Sequence, residues 1–190
     1  MAILRKRLLL HSCCGPCSTA VLERLVDDFD VTVFYYNPNI TDEEEYSHRK
    51  SEELRFIKEY SENTGAKISV IDADYDPENY LKLVQGLESE PEGGARCLVC
   101  FEMRLEKTAA LAKEQGFDCF DTTLTVSPYK NYDNISAIGR RLSEKYGVEY
   151  LSGNYKKQNG YQRSIELSKE YGLYRQHFCG CEFSRRGSEE

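Results

Sequence analysis

Seven of the eight cysteines fall into three short-spaced groups: C-C-x-x-C at Cys13, Cys14 and Cys17, C-x-x-C at Cys97 and Cys100, and C-x-C at Cys179 and Cys181. Neighbouring thiolates at such spacings can reach one ion or one cluster without distorting the chain, so the pattern points to metal. A structural zinc and a 4Fe-4S cluster each take four ligands. The surplus would supply most of a second, mononuclear site, with a position left for a carboxylate or a substrate. Cys119 lies in the apolar stretch DCF and reads as a small buried hydrophobe instead.

Two other chemistries share these residues. Cys14 and Cys17 frame C-G-P-C, a redox dithiol at the start of a helix, where the helix N-terminus lowers a thiolate pKa; a thiol-disulfide oxidoreductase would use that pair and leave five clustered cysteines idle. A zinc-stapled RNA-binding module is the non-enzymatic reading, although a zinc clip needs no residue at the mouth of a sheet. A phosphate-gripping loop is also expected at such a place, but Pro16 removes a backbone donor and sulfurs fill the positions.

The elements that must position these groups alternate. Leu8–Leu10 is a short apolar run ending at a Gly-Pro turn, followed by a helix over Ser18–Asp28; Val31–Asn37 is a second strand. A long helix runs from about Thr41 to Asn63, with Thr41 as N-cap, Glu44 completing a capping box and Gly65 closing it. Lys67–Asp72 makes a third strand and Asp76-Pro77 starts a short helix through about Leu87. A polar loop over Glu88–Gly94 leads into a helix over Leu98–Gln115, a strand over Cys119–Leu124 and a helix over Asn131–Tyr146. Val148–Ser152 is a fifth strand, and Gln162–Tyr171 a last helix before the cysteine-bearing tail, about 174–190. Strand and helix in alternation predict an α/β fold with a parallel sheet of about five strands covered on both faces, whose ligand site lies beyond the carboxyl ends of the strands. Cys13 and Cys14 fall at one such end.

At 190 residues the chain has the length of a single domain able to bury a core without disulfide staples, 1–190, with the tail packing back on the site. Arg5, Lys6 and Arg7 followed by three leucines make too short an apolar run for a signal peptide or a membrane span, which points to the cytoplasm, where thiols stay reduced. The formal charge of −7 argues against a globally basic nucleic-acid binder. Basic residues are local, at Arg49-Lys50, Arg140-Arg141, Lys156-Lys157 and Arg185-Arg186.

The runs LLLHSCCGPCS, YYNPNI, EEEYSHRKSEE, DADYD, GGARCLVCFEMRLEKTA, TTLTVSPYKN, YKKQNGYQRSIELS and LYRQHFCGCEFS resemble, in order and along nearly the whole chain, the QueH-type epoxyqueuosine reductases. The resemblance implies a three-layer Rossmann-like fold of the adenine nucleotide alpha-hydrolase (HUP-like) kind. It implies two-electron deoxygenation of the epoxide of epoxyqueuosine at the tRNA wobble position, the last step of queuosine synthesis. It also implies a 4Fe-4S cluster and an adjacent mononuclear iron held by cysteines and an aspartate. In the related nucleotide-activating enzymes the first loop is a glycine-rich pyrophosphate grip; cysteines replace it here.

Carried over by position, Cys13, Cys14, Cys17, Cys97, Cys100, Cys179 and Cys181 are the metal ligands, their partition unset by spacing. The aspartate is expected at Asp76, then Asp74, then Asp72. Removing an epoxide oxygen needs two electrons and two protons, so the resemblance also calls for an electron donor such as ferredoxin or flavodoxin, and for an acid; His11, Tyr75 and Tyr129 are candidates by their position near strand ends. For tRNA phosphates the candidates are Lys156, Lys157, Arg163, Arg175, Arg185 and Arg186, with exposed tyrosines to stack on splayed anticodon bases.

Overall fold

Leu8, Leu9 and Leu10 are fully buried, because the strand that carries them, β1 (Lys6–Ser12), is covered on both faces. The computed structural model describes residues 5–184. β1 pairs in parallel with β2 (Phe29–Tyr35) on one side and with β4 (Cys119–Thr122) on the other. β3 (Ser69–Asp72) extends the sheet beyond β2, and β5 (Glu149–Tyr150) beyond β4. The strand order is β3-β2-β1-β4-β5, all parallel, as in a Rossmann-like three-layer fold. The order reverses at β1, so the crevice between the ends of β1 and β4 is the switch point.

Alternate side chains of the strands face opposite layers. Leu8, Leu10, Val31 and Val33 pack with Val21 and Leu22 of α1 (Gly15–Leu25) and with Phe56 and Ile57 of α2 (Glu43–Thr64). Leu9, Phe34 and Phe120 pack on the other face with Leu105 and Ala109 of α4 (Ala95–Glu114) and with Ile135 and Leu142 of α5 (Tyr132–Tyr146). α6 (Gly160–Glu170) lies against α1, and the short α3 (Pro77–Leu83) stands near the carboxyl edge, where Tyr80 packs with Cys100 and Cys181.

Several boundaries differ from the sequence expectation. α2 is capped by Asp42, whose Oδ1 accepts from the N–H groups of Glu44 and Glu45 at 3.0 and 3.1 Å. A carboxylate there satisfies two orphan donors and faces the positive end of the helix dipole, while the Thr41 N–H donates to the Gly180 carbonyl and ties down the tail. β4 stops at Thr122, whose hydroxyl accepts from Leu124 N and caps a 3₁₀ turn over Thr123–Val126. α1 starts at Gly15 and α4 at Ala95, each three residues earlier than the periodicity suggests, so Cys17, Cys97 and Cys100 lie in first and second helical turns. Gly65 and Gly147 close α2 and α5 in the left-handed conformation, with φ of 77° and 67°. No helix among the described residues is long and apolar enough to cross a membrane.

Leu105 is fully buried between α4 and the sheet. Leu105→Ala should lower the unfolding free energy by about 2–5 kcal/mol, read as a reduced urea midpoint of the anaerobic protein.

Candidate metal centre

The loop leaving β1 presents three sulfurs at the switch point. Cys14 occupies the N-cap position of α1 in extended backbone, without a side-chain cap, and its carbonyl accepts from the N–H groups of Cys17 and Ser18. The ligand atoms of Cys13, Cys14 and Cys17 all lie within 4.8 Å of one another. Cys97 and Cys100, one turn apart on α4, line a small cavity of about 30 Å³ together with Cys179 and Cys181 of the tail. Three thiols thus lie within metal-ligand reach of one another, and four more line one shared cavity. Cys119 is buried at the amino end of β4, where its thiol donates to the Arg7 carbonyl.

The sulfurs have donors around them. Gln176 Nε2 reaches Cys14 Sγ at 2.8 Å and the Tyr80 hydroxyl reaches Cys181 Sγ at 2.9 Å. Gly93 N–H meets Cys97 Sγ at 3.2 Å, Arg104 Nη1 meets Cys100 Sγ at 3.8 Å, and Cys179 Sγ lies 3.0 Å from the Ser184 hydroxyl. Such contacts favour the thiolate form that a metal needs and orient it.

Within each group the protons are unevenly held. Hydrogen bonds from Cys14 and Cys17, then the charges of Lys130 and Arg104, hold the Cys13 thiol well below the ordinary range. Cys14 is pushed up to about 12, mainly by its neighbour Cys13, and Cys17 is raised for the same reason. Cys179 is held low by Cys181 and then by Lys130. None of the described cysteines is in a disulfide.

Lys130 is the residue that sequence reading passes over. Its ammonium is turned inward and, against the effect of burial, is held above its ordinary value by Cys13, Cys17 and Cys179. Arg104, 3% exposed, likewise stays charged against burial through Cys100 and Cys13, and its other donors meet Asn37 Oδ1 at 2.6 Å and His11 Nε2 at 3.3 Å. Two cations therefore face both thiol groups. In sequence Lys130 belongs to SPYKN, an ordinary loop, and only the register of a helix with Cys97, Cys100 and Arg104 hinted at the arginine.

The other expected residues divide. His11 is fully buried beneath the loop; burial and Arg104 push its pKa down to about 3, and its ring nitrogens lie 2.9 Å from Thr122 Oγ1 and 3.0 Å from the Tyr36 carbonyl. Tyr75 donates to the Ile40 carbonyl at 2.8 Å and stacks on Tyr46. Tyr129 stands open at the mouth, lining the four-cysteine cavity. Asp72, Asp74 and Asp76 line a groove of about 1320 Å³ whose walls include none of the seven cysteines. Asp76 Oδ1 caps α3 through Asn79 N–H, Asp72 pairs with Lys50, and no carboxylate among the described residues joins the group of three.

Of the basic candidates, Arg175 lines a hollow with Cys17 and Cys179 and donates to Ser168 Oγ. Lys156 and Lys157 share another with Tyr129 and Lys130. Arg163 is engaged with Glu23 at 2.7 Å and Glu166 at 3.3 Å. Arg185 and Arg186 lie outside the described residues.

Beneath the first loop runs a polar chain. Glu53, fully buried, accepts from Ser18 Oγ at 2.7 Å, and the hydroxyls of Ser12 and Ser18 are 2.6 Å apart, so the residues flanking the three cysteines are tied to α2. Glu53 Oε2 has no hydrogen-bond partner among the described residues, and burial pushes the carboxyl up to about 7. The native state then keeps a proton that the unfolded chain releases from about pH 4.5 upward, so this contribution to stability is present below that window and is lost as pH rises through about 7. Glu53→Gln, which cannot ionise, should remove roughly 3 kcal/mol of pH-dependent loss between pH 4.5 and 8. Urea midpoints across that range measure it, with Asp121, also raised to about 7 by burial, retaining its own share; an unaltered pH slope would sink the assignment.

Comparison with known proteins shows what the chain is similar to. The family model described as epoxyqueuosine reductase QueH matches residues 8–187. The chain is 45% identical to the epoxyqueuosine reductase QueH of Streptococcus pyogenes serotype M1 over 182 residues, 96% of this chain and 71% of that protein. It is 43% identical to the protein of that name from Staphylococcus epidermidis, covering 95% of this chain and 76% of the relative. The corresponding Thermotoga maritima protein is 37% identical over 93% of this chain and 89% of its own length.

Proposed function

The chain belongs to the epoxyqueuosine reductase QueH family and is an oxidoreductase, and on that premise we propose that it reduces epoxyqueuosine at the tRNA wobble position with iron bound by its seven clustered thiols. What supports the reading is the convergence of two thiol groups on one inward-turned ammonium, Lys130, at the switch point of a parallel sheet. Cys97, Cys100, Cys179 and Cys181 are four sulfurs around one cavity, the donor set of a 4Fe-4S cluster. Cys13, Cys14 and Cys17 are three sulfurs close enough for one further iron, with a position open to substrate or to a carboxylate brought from the 73–76 segment, Asp76 before Asp74. When bound, this group supplies electrons singly and Lewis acidity toward the epoxide oxygen.

The reaction breaks both C–O bonds of the epoxide, takes up two electrons and two protons, and leaves an alkene and water. Lys130 and Arg104 balance the thiolate charge that would otherwise oppose its own burial. The Lys130 ammonium, in the field of both thiol groups, would hold a proton for an oxygen departing there. Tyr80, Gln176 and the Gly93 N–H fix the sulfur lone pairs that do not meet metal. Electrons come from a carrier such as ferredoxin or flavodoxin, and the reduced thiols suit the cytoplasm. The tRNA backbone is met by the basic rim at Arg175, Lys156 and Lys157.

Anaerobically purified protein should be brown, with about 4–5 iron per chain; a colourless zinc protein overturns the reading. Cys14→Ala and Cys100→Ala, assayed on epoxyqueuosine tRNA with a chemical reductant, should each lower turnover by more than about 100-fold. Affinity for that tRNA should fall about 20- to 40-fold between 50 and 200 mM salt if three phosphates are contacted, and salt-insensitive binding would remove the basic rim from the account.

A further inference from the structure

Tyr129 is 72% exposed, whereas the next most open large apolar side chain, Leu83, is 47% exposed. Its hydroxyl has no hydrogen-bond partner among the described residues, and its ring borders both the four-cysteine cavity and a neighbouring hollow of about 580 Å³. Lys130, Asn131, Asn154, Lys156 and Lys157 also line that hollow. An aromatic face left in water beside lysines, at the entrance to a site that must receive one base of an RNA, is the composition of a single-strand stacking platform.

The surrounding backbone is held firmly. On one side Tyr129 N–H donates to Ser127 Oγ, Lys156 Nζ donates to the Lys130 carbonyl at 2.7 Å, and Asn131 caps α5 through Asn134 N–H. On the other, the loop carrying the lysines contains three non-glycine residues in the left-handed region, Ser152, Gln158 and Asn159, with φ of 58°, 54° and 60°. Such conformations are disfavoured and persist only where the surroundings impose them. Here Asp121, buried at the end of β4, accepts from the Tyr155 hydroxyl at 2.6 Å and from Gly153 N–H at 3.1 Å, while Tyr132 donates to the Ser152 carbonyl at 2.9 Å.

We propose that this hollow is a subsite for the nucleotide adjoining epoxyqueuosine in the tRNA, its base stacked on Tyr129 and its phosphate met by Lys157. The proposal rests on the tRNA reading above and extends it: the neighbour held on Tyr129 fixes how far the modified base reaches over Lys130 toward the thiols. The tyrosine acts through its ring, not through its hydroxyl.

The test uses the iron-loaded protein and anticodon stem-loop RNAs with 2-aminopurine on the 5′ or the 3′ side of the wobble position, together with turnover of stem-loops carrying epoxyqueuosine. Wild-type protein should quench the fluorophore at one of the two positions. Tyr129→Ala should abolish that quenching and raise KM about 5- to 150-fold, the range expected for one stacked base, with iron content retained; Tyr129→Phe and Tyr129→Trp should rescue both readouts. Lys157→Gln should reduce the slope of log affinity against log salt by about one. Wild-type turnover with quenching and KM untouched by Tyr129→Ala, or a Tyr129→Phe variant as impaired as Tyr129→Ala, overturns the subsite and leaves the reductase reading standing. Wild-type protein that neither binds nor reduces the RNA overturns both.

Discussion

A thiolate buried beside other sulfurs is tolerable only if positive charge is buried with it, and the inward ammonium of Lys130 meets that condition for both thiol groups. Arg104 adds a second cation from the α4 side, reaching Cys100 directly and Cys13 through its field. Placing these charges constrains the rest: the 3₁₀ turn after β4 sets where the SPYKN loop begins, and the start of α4 sets which face carries Cys97, Cys100 and Arg104. The tail that brings Cys179 and Cys181 is anchored by the Thr41 N–H on Gly180 and by Arg49 on the Phe178 carbonyl at 3.1 Å. Gly180 itself, at φ 104°, turns the chain against Ile40, where a Cβ would collide with that side chain.

Below the sulfurs the floor is polar and buried. His11, Thr122, Arg104 and Asn37 hydrogen-bond to one another, and Ser12, Ser18 and Glu53 form a parallel chain on the α2 side. Asn37 Nδ2 closes the gap between them by donating to the Ser12 carbonyl at 2.9 Å. With each partner fixed by another, the loop over residues 12–18 has little freedom to relax when its sulfurs gain or lose charge. Held this rigidly, the donor atoms would need little reorganisation around any metal they bind.

The alternation of strand and helix and the thiol clusters were legible in the sequence, because both are local patterns: β-branched runs, capping residues and Cys spacings of one to four. The boundaries that slipped were decided elsewhere in the chain. Thr41 has the residue type of a cap, yet its N–H is taken by Gly180, and Asp42 caps α2 instead. Lys130, Tyr80 and Gln176 were not legible as parts of the site, since each meets its sulfur across a long stretch of chain and carries no local mark of doing so; the Gln176 contact with Cys14 spans 162 residues. The DADYD aspartates are legible only as residues at a strand end: the sequence does not show that Asp76 caps α3 or that Asp72 pairs with Lys50.

The position of the first loop explains why thiols could take over a place suited to phosphate. A loop from a central strand into a helix N-terminus offers unpaired backbone N–H groups and the positive end of a dipole, and these favour any compact anion. Cys14 sits at the N-cap and Cys17 in the first turn, so both sulfurs stand where the field of a helix N-terminus favours an anion. Pro16 removes one donor from that turn, which weakens a phosphate grip and leaves a thiolate unaffected, because a side-chain sulfur needs the field more than it needs every N–H. With Lys130 and Arg104 added behind it, the electrostatics that would favour a bound phosphate also favours thiolates tethered to the chain.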